Sequence, residues 1–337
     1  MHTLMELGKG RHLNSKRAGQ HVQKPRWLFA GKKLKVNIVA MGDVGATTLM
    51  GLKLLGGDVI SRIGITDLNE HVLKRYEMEM NQVFYPWDYD KLPEVKILKE
   101  EEIFDCDVFI FCATKGVAPV GSQVHDVRMQ QLKANREIIG IYARKARECE
   151  YKGLFAVVSD PVEPLCNAAW YMSNCNYLDE FDDNGLSQEQ VQGFGLGVMN
   201  ARAAYYAKRD DKYKAFLKEG RVFGPHGKYL VVADSLTKYN NDNSIELSEL
   251  ASNANMCVRE LGYKPYIAPA LSSAAISILL TMRGEYHYGS VSINEIYFGC
   301  RNRYTPNGLE IELLELPDQL YERIHMSYNK LEEISQS

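Results

Sequence analysis

Residues 40–45 read Ala40-Met41-Gly42-Asp43-Val44-Gly45, directly after the β-rich run Leu34-Lys35-Val36-Asn37-Ile38-Val39. A glycine-rich turn between a strand and a helix suits one chemistry well: it brings main-chain amides up to a pyrophosphate. The demands are a tight turn, close approach of backbone to phosphate, and close packing of helix on strand. Gly42 and Gly45 meet the last two, with Asp43 and Val44 between them, and alanine in the first place is tolerable if its φ is negative. Asp67 stands at the end of a second apolar run, 25 residues past Gly42. An acid there binds a ribose 2′-hydroxyl and repels a 2′-phosphate, which favours NAD over NADP. A strand–turn–helix with no nucleotide is the plainer alternative.

Further apolar runs position this turn. Arg62–Asp67, Asp107–Ala113 and Leu154–Ser159 read as strands, and Asp107–Ala113 is continuous enough to be covered on both faces. Strands alternating with helical patterns argue for a parallel, doubly wound sheet. Ala113, at the carboxyl end of the third run, would line the same nucleotide crevice. The polar stretch Asp179–Gly185 reads as a surface loop, after which the composition shifts. Ala268–Ala275 should open a buried helix, Val291–Phe298 and Leu309–Leu313 look like antiparallel strands, and the last twenty residues form an amphipathic helix. The economical division is a basic arm over 1–33, a nucleotide domain over 34–175 and an α+β domain over 176–337.

Composition narrows the class. The chain has 337 residues, 45% hydrophobic and 25% charged, with net charge −3. This is an ordinary globular balance with no footprint for nucleic acid or an anionic membrane. The first 33 residues differ, with eight Lys or Arg and one acid, Glu6. Few serines and no clear amphipathic helix argue against a transit peptide, and favour a surface arm or an oligomer contact. The seven cysteines include no CxxC pair and read as reduced thiols, so a cytoplasmic location is expected. No apolar stretch approaches the roughly 18 residues needed to span a bilayer.

Five segments, in order, carry a resemblance to the lactate/malate dehydrogenase superfamily. Arg128 with Leu132 and Asn135 resembles the end of a mobile active-site loop, and Ser159-Asp160-Pro161-Val162-Glu163 resembles the family's (S/T)NPVD segment. Gly193–Arg202, Gly224-Pro225-His226-Gly227 and Leu271-Ser272-Ser273-Ala274 complete the set, so the resemblance runs from about residue 34 to 330. It implies a Rossmann-type NAD domain followed by an α+β substrate domain, in a homodimer or homotetramer. Arg202 would then anchor a substrate carboxylate, a task suited to a planar guanidinium, with Asn135 beside the substrate. His226 would exchange a proton with the substrate while hydride moves to or from nicotinamide. Arg128 would polarise the reacting carbonyl. Gly42, Asp43, Val44, Gly45, Asp67 and Ala113 would hold NAD, and no metal is implied. Taken singly, such residues are more often solvated or structural.

Three departures bear on activity. The family's aspartate three residues before the arginine, which orients the histidine, is Met199 here; the asparagine of its (S/T)NPVD segment is Asp160. One acid lost and one gained suggest that Asp160 supplies the carboxylate from another direction. The stretch 114–127 is longer than the usual loop and carries no arginine where a malate enzyme reads its second carboxylate. His125 and Asp126 within it form a possible acid–imidazole pair. The expectation is an NAD-dependent oxidoreductase for a small 2-hydroxy or 2-oxo carboxylate other than malate. The alternative is a degenerate, non-catalytic nucleotide or ligand binder. An NAD-dependent glycosidase is disfavoured, because no Cys–His metal motif follows Asp160.

Overall fold

The computed structural model describes residues 2–8, 25, 28, 29, 31–115 and 127–336, with main chain alone at 127–131 and 336. Six parallel strands build the first part: β1 (Leu34–Val39), β2 (Ile60–Thr66), β3 (Glu94–Ile97), β4 (Val108–Phe111), β5 (Leu154–Val157) and β6 (Val191–Gly193). They lie in the order β3-β2-β1-β4-β5-β6, the doubly wound arrangement whose strands end in a nucleotide crevice. β4 and β5 are buried along their whole length, as a strand covered by helices on both faces must be. β3 escaped the sequence reading: Glu94 and Lys96 alternate with Val95 and Ile97 on the sheet edge, leaving only four residues of weak signal.

Beyond a small pair, β7 (Arg221–Phe223) and β8 (Val231–Ala233), the chain returns to the same sheet. There β9 (His287–Ile293), β10 (Ile296–Thr305) and β11 (Gly308–Ile311) continue it antiparallel, through β6 and β9. The expectation of one strand over Val291–Phe298 is corrected here. That stretch is a hairpin turning at Asn294-Glu295, both with positive φ of 48° and 68°. The primed turn matches the twist of the flanking strands, and with no glycine present the turn left no mark in the sequence.

The helices cover both faces: α1 (Asp43–Leu55), α2 (Glu70–Met80), α3 (Val127–Glu148), α4 (Val162–Ser173), α5 (Leu196–Ala207), α6 (Phe216–Glu219), α7 (Asn241–Glu260), a π-helix (Pro269–Ile276) running into α8 (Ser277–Met282), and α9 (Asp318–Gln336). The proposed boundary near residue 175 falls just after α4, before the last parallel strand. The π-helix runs parallel to α1: Thr48 bonds the Ala270 carbonyl, and a Cβ on Gly51 would lie 2.6 Å from that of Ala275. α9 buries Leu320, Ile324, Tyr328 and Leu331 at helical spacing. Leu4 and Leu7 join that cluster; most of the basic arm read over 1–33 lies outside the described residues.

Candidate active site

The glycine turn forms as the strand-to-helix connection, with one difference from expectation. Ala40 takes a φ of 73°, where a negative value had been required. A left-handed alanine costs about 1–2 kcal/mol, so packing must impose it. Gly45 shows the constraint: a Cβ there would lie 1.9 Å from the Ala40 carbonyl oxygen, so helix and strand end are in direct contact. Gly42 has open space where its Cβ would be, and no side chain caps the first amides of α1. Those free amides beside open space fit a pyrophosphate. Asp67 accepts hydrogen bonds from the Met41 amide at 2.7 Å and the Asn69 amide at 2.9 Å. It therefore braces the turn. Val44 packs on the core of the first half, and the Ala113 carbonyl accepts from Ser159 Oγ at 2.7 Å.

The second cluster gathers at the carboxyl end of β5. His226 Nδ1 and Asp160 Oδ1 are 3.0 Å apart, with the Asp160 side chain exposed and that of His226 mostly covered. Two ties position Asp160. Ser159 Oγ donates to the Ala113 carbonyl, and Asn135 Nδ2 donates to the Asp160 carbonyl at 2.7 Å. On the histidine side, Gly224 and Gly227 have φ of 94° and 132°, a path that side chains resist. Gly195 leaves room for the ring, since a Cβ there would lie 2.8 Å from the His226 Cβ.

Behind this couple lies Glu163, which the sequence reading quoted without assigning a role. It is buried, and its Oε1 accepts from Ser290 Oγ at 2.8 Å and the His226 amide at 3.3 Å. Its place three residues after Asp160 was the available signal. Burial pushes the Glu163 carboxyl above its ordinary pKa, against the Ser290 hydrogen bond and the His226 charge. For His226, burial pulls the pKa down, but the charge and hydrogen bond of Asp160, with Glu163 behind, outweigh it, and the net shift is upward.

Arg202 stands near enough that its charge acts on His226 and interacts with Asp160. Burial lowers its pKa, and the Met199 sulfur lies 3.8 Å from Nη1 of its guanidinium. Among the described residues it has no carboxylate within ion-pair distance. Met199 is 1% exposed and belongs to the apolar cluster of the second half. Asn135 is fully buried, and besides its bond to Asp160 it accepts from the Lys115 amide at 2.9 Å. Its amide thus joins the two loops; direct contact with substrate would require it to release one of them. Arg128 is the second residue of α3, its side chain outside the described residues, as are His125 and Asp126.

No family model matches the chain. It is 29% identical to an L-lactate dehydrogenase of Treponema denticola, over 61% of this chain and 59% of that protein, so the chain spans less than two thirds of that relative. It is 23% identical to an L-lactate dehydrogenase of Halalkalibacterium halodurans, over 89% of this chain and 96% of the relative. Among solved structures it is similar to the minor L-lactate dehydrogenase of Enterococcus mundtii in a ligand-bound form (18% identity, TM-score 0.72, 90% and 98% covered). It is equally similar to the malate dehydrogenase of Archaeoglobus fulgidus in complex with NADH (18%, 0.73, 90% and 98%). The chain is thus similar in sequence to L-lactate dehydrogenases and shares the fold of lactate and malate dehydrogenases. Against the pattern of those dehydrogenases Met199 and Asp160 are the departures: Asp160 lies on His226 and Met199 beside Arg202.

Proposed function

We propose that the protein is an NAD-dependent oxidoreductase acting on a small 2-hydroxy or 2-oxo carboxylate, with His226 and Asp160 as its acid–base couple. The observation that carries this is the 3.0 Å approach of Asp160 to Nδ1 of His226 beside a half-buried guanidinium. A carboxylate on Nδ1 fixes the tautomer and stabilises the imidazolium, leaving Nε2 to give a proton to, or take one from, the substrate oxygen. Arg202, free of a protein carboxylate among the described residues, would take the substrate carboxylate in a two-point grip. NAD, when bound, supplies or accepts the hydride; the amides of Asp43, Val44 and Gly45 would hold its pyrophosphate, with Asp67 and Ala113 along the crevice. Arg128 would close over the substrate. The absence of a further arginine in the 114–127 sequence argues against a C4 dicarboxylate.

A homodimer or homotetramer in the cytoplasm is part of this proposal. The seven cysteines are all unpaired, which suits a reducing compartment, and no described helix is long and apolar enough to cross a membrane. The test is NADH oxidation by stoichiometric protein across pyruvate, oxaloacetate and branched or aromatic 2-oxo acids. Consumption with one of them, lost in His226→Ala, is the expected result. NADH binding without consumption would instead favour a non-catalytic binder, the reading that the buried Met199 supports.

A further inference from the structure

We infer that Lys264, carried by the second half of the chain, is a cofactor-positioning residue that offsets Asp43 at the pyrophosphate. This rests on the nucleotide site proposed above. Asp43 is the first residue of α1, in the turn where the phosphates would lie. An acid at a helix start suits the helix dipole but opposes a second anion at the same amides. Lys264 Nζ lies 3.0 Å from Asp43 Oδ2, across 221 residues of sequence.

Packing explains how it reaches. The π-helix runs alongside α1 in the same direction, with Thr48 on Ala270 and Gly51 on Ala275. The chain just ahead of the π-helix is thereby set beside the start of α1, and Lys264 lies in that segment. Both partners are exposed, at 72% and 48% of the side chain, so the pair contributes little to stability. Its consequence is electrostatic. With Lys264 in place, the pyrophosphate meets a compensated carboxylate and a cation within reach from the opposite wall. The lysine, a mobile point charge, can turn from Asp43 toward the phosphates as they arrive.

The test measures binding, not turnover. Affinities for NADH (by fluorescence) and for ADP-ribose and adenosine (by competition) are compared in wild type, Lys264→Met, Asp43→Asn and the double variant. Lys264→Met should weaken NADH and ADP-ribose alike, by about three- to tenfold, and spare adenosine; the loss should shrink at high salt. Asp43→Asn should recover most of it in the double variant, with melting temperatures unchanged. Unaltered ADP-ribose affinity in Lys264→Met, or an equal loss for adenosine, would overturn the inference while leaving the NAD site intact. Wild type binding neither NADH nor ADP-ribose would overturn the site and this inference with it.

Discussion

The two walls around His226 are built oppositely. The α5 wall presents Met199, sealed in an apolar cluster, and Arg202, a cation with a sulfur at its side. The wall at the end of β5 presents two carboxylates three residues apart: Asp160 on the ring and Glu163 on the main chain of the same histidine. In the superfamily pattern acid and arginine share α5; here α5 keeps the cation and the strand end supplies the acid. The Asp160–His226 pair therefore spans the two halves of the chain. Asp160 is also exposed, so its charge acts through a partly wet path, while Glu163 acts through a dry one.

The largest effect should come from removing the exposed acid. Asp160→Asn is expected to lower turnover by roughly 10²–10⁴, the upper end being the loss seen when the equivalent carboxylate is removed from a serine-protease relay. NADH affinity should stay level. Because Asp160 raises the His226 pKa against burial, its loss should also move the alkaline limb of 2-oxo acid reduction to lower pH. Unchanged turnover, with an unmoved limb, would remove Asp160 from the couple.

Next in size, Arg202→Lys keeps the charge and loses the fork. Hydrogen bonds to a charged group are each worth about 1.5–3 kcal/mol, so kcat/KM should fall on the order of ten- to a hundredfold, mostly through KM. A loss confined to kcat would contradict the anchoring role. Met199→Asp sharpens the comparison of the walls. A carboxylate on that side chain would replace the sulfur 3.8 Å from the guanidinium and compete with substrate for Arg202. KM should rise by about the same factor as an exposed-to-buried ion pair allows, several-fold. An unaltered KM would show that a carboxylate at 199 leaves Arg202 free, as the superfamily's aspartate does.

Much of this was legible before any coordinates, for identifiable reasons. β1, β2, β4 and β5 announce themselves because buried parallel strands must be continuous apolar runs. The exchange of Met199 for Asp160 was readable as one acid lost and one gained. What could not be read was direction. Nothing in Ser159-Asp160-Pro161 shows that the side chain turns to Nδ1, because Asn135, Ser159 and the path of Gly224–Gly227 set that geometry from distant parts of the chain. The turn at Asn294-Glu295 and the left-handed Ala40 were hidden for a related reason: packing imposes backbone conformations that those residue types do not advertise. Lys264 was invisible too, since its partner lies 221 residues away.

The smallest effect belongs to the dry carboxylate, and its sign follows from linkage. The Glu163 carboxyl has a raised pKa in the folded chain, so its contribution to stability is full below the ordinary glutamate value. It is lost as pH rises through the folded value, because the buried site disfavours the charged form. His226, also raised, gives the same sign at higher pH. Glu163→Gln retains an acceptor for Ser290 and His226 but cannot ionise. Its melting temperature relative to wild type should therefore climb as pH rises above the ordinary glutamate value. Glu163→Leu, which loses the acceptor and leaves the His226 amide unpaired, should lie below Glu163→Gln throughout, by about 1–3 kcal/mol. A wild-type-minus-Gln difference that is flat with pH would mean that Glu163 is ionised in the fold. Burial would then leave the two carboxylates of the β5 wall equally ready to carry charge beside His226.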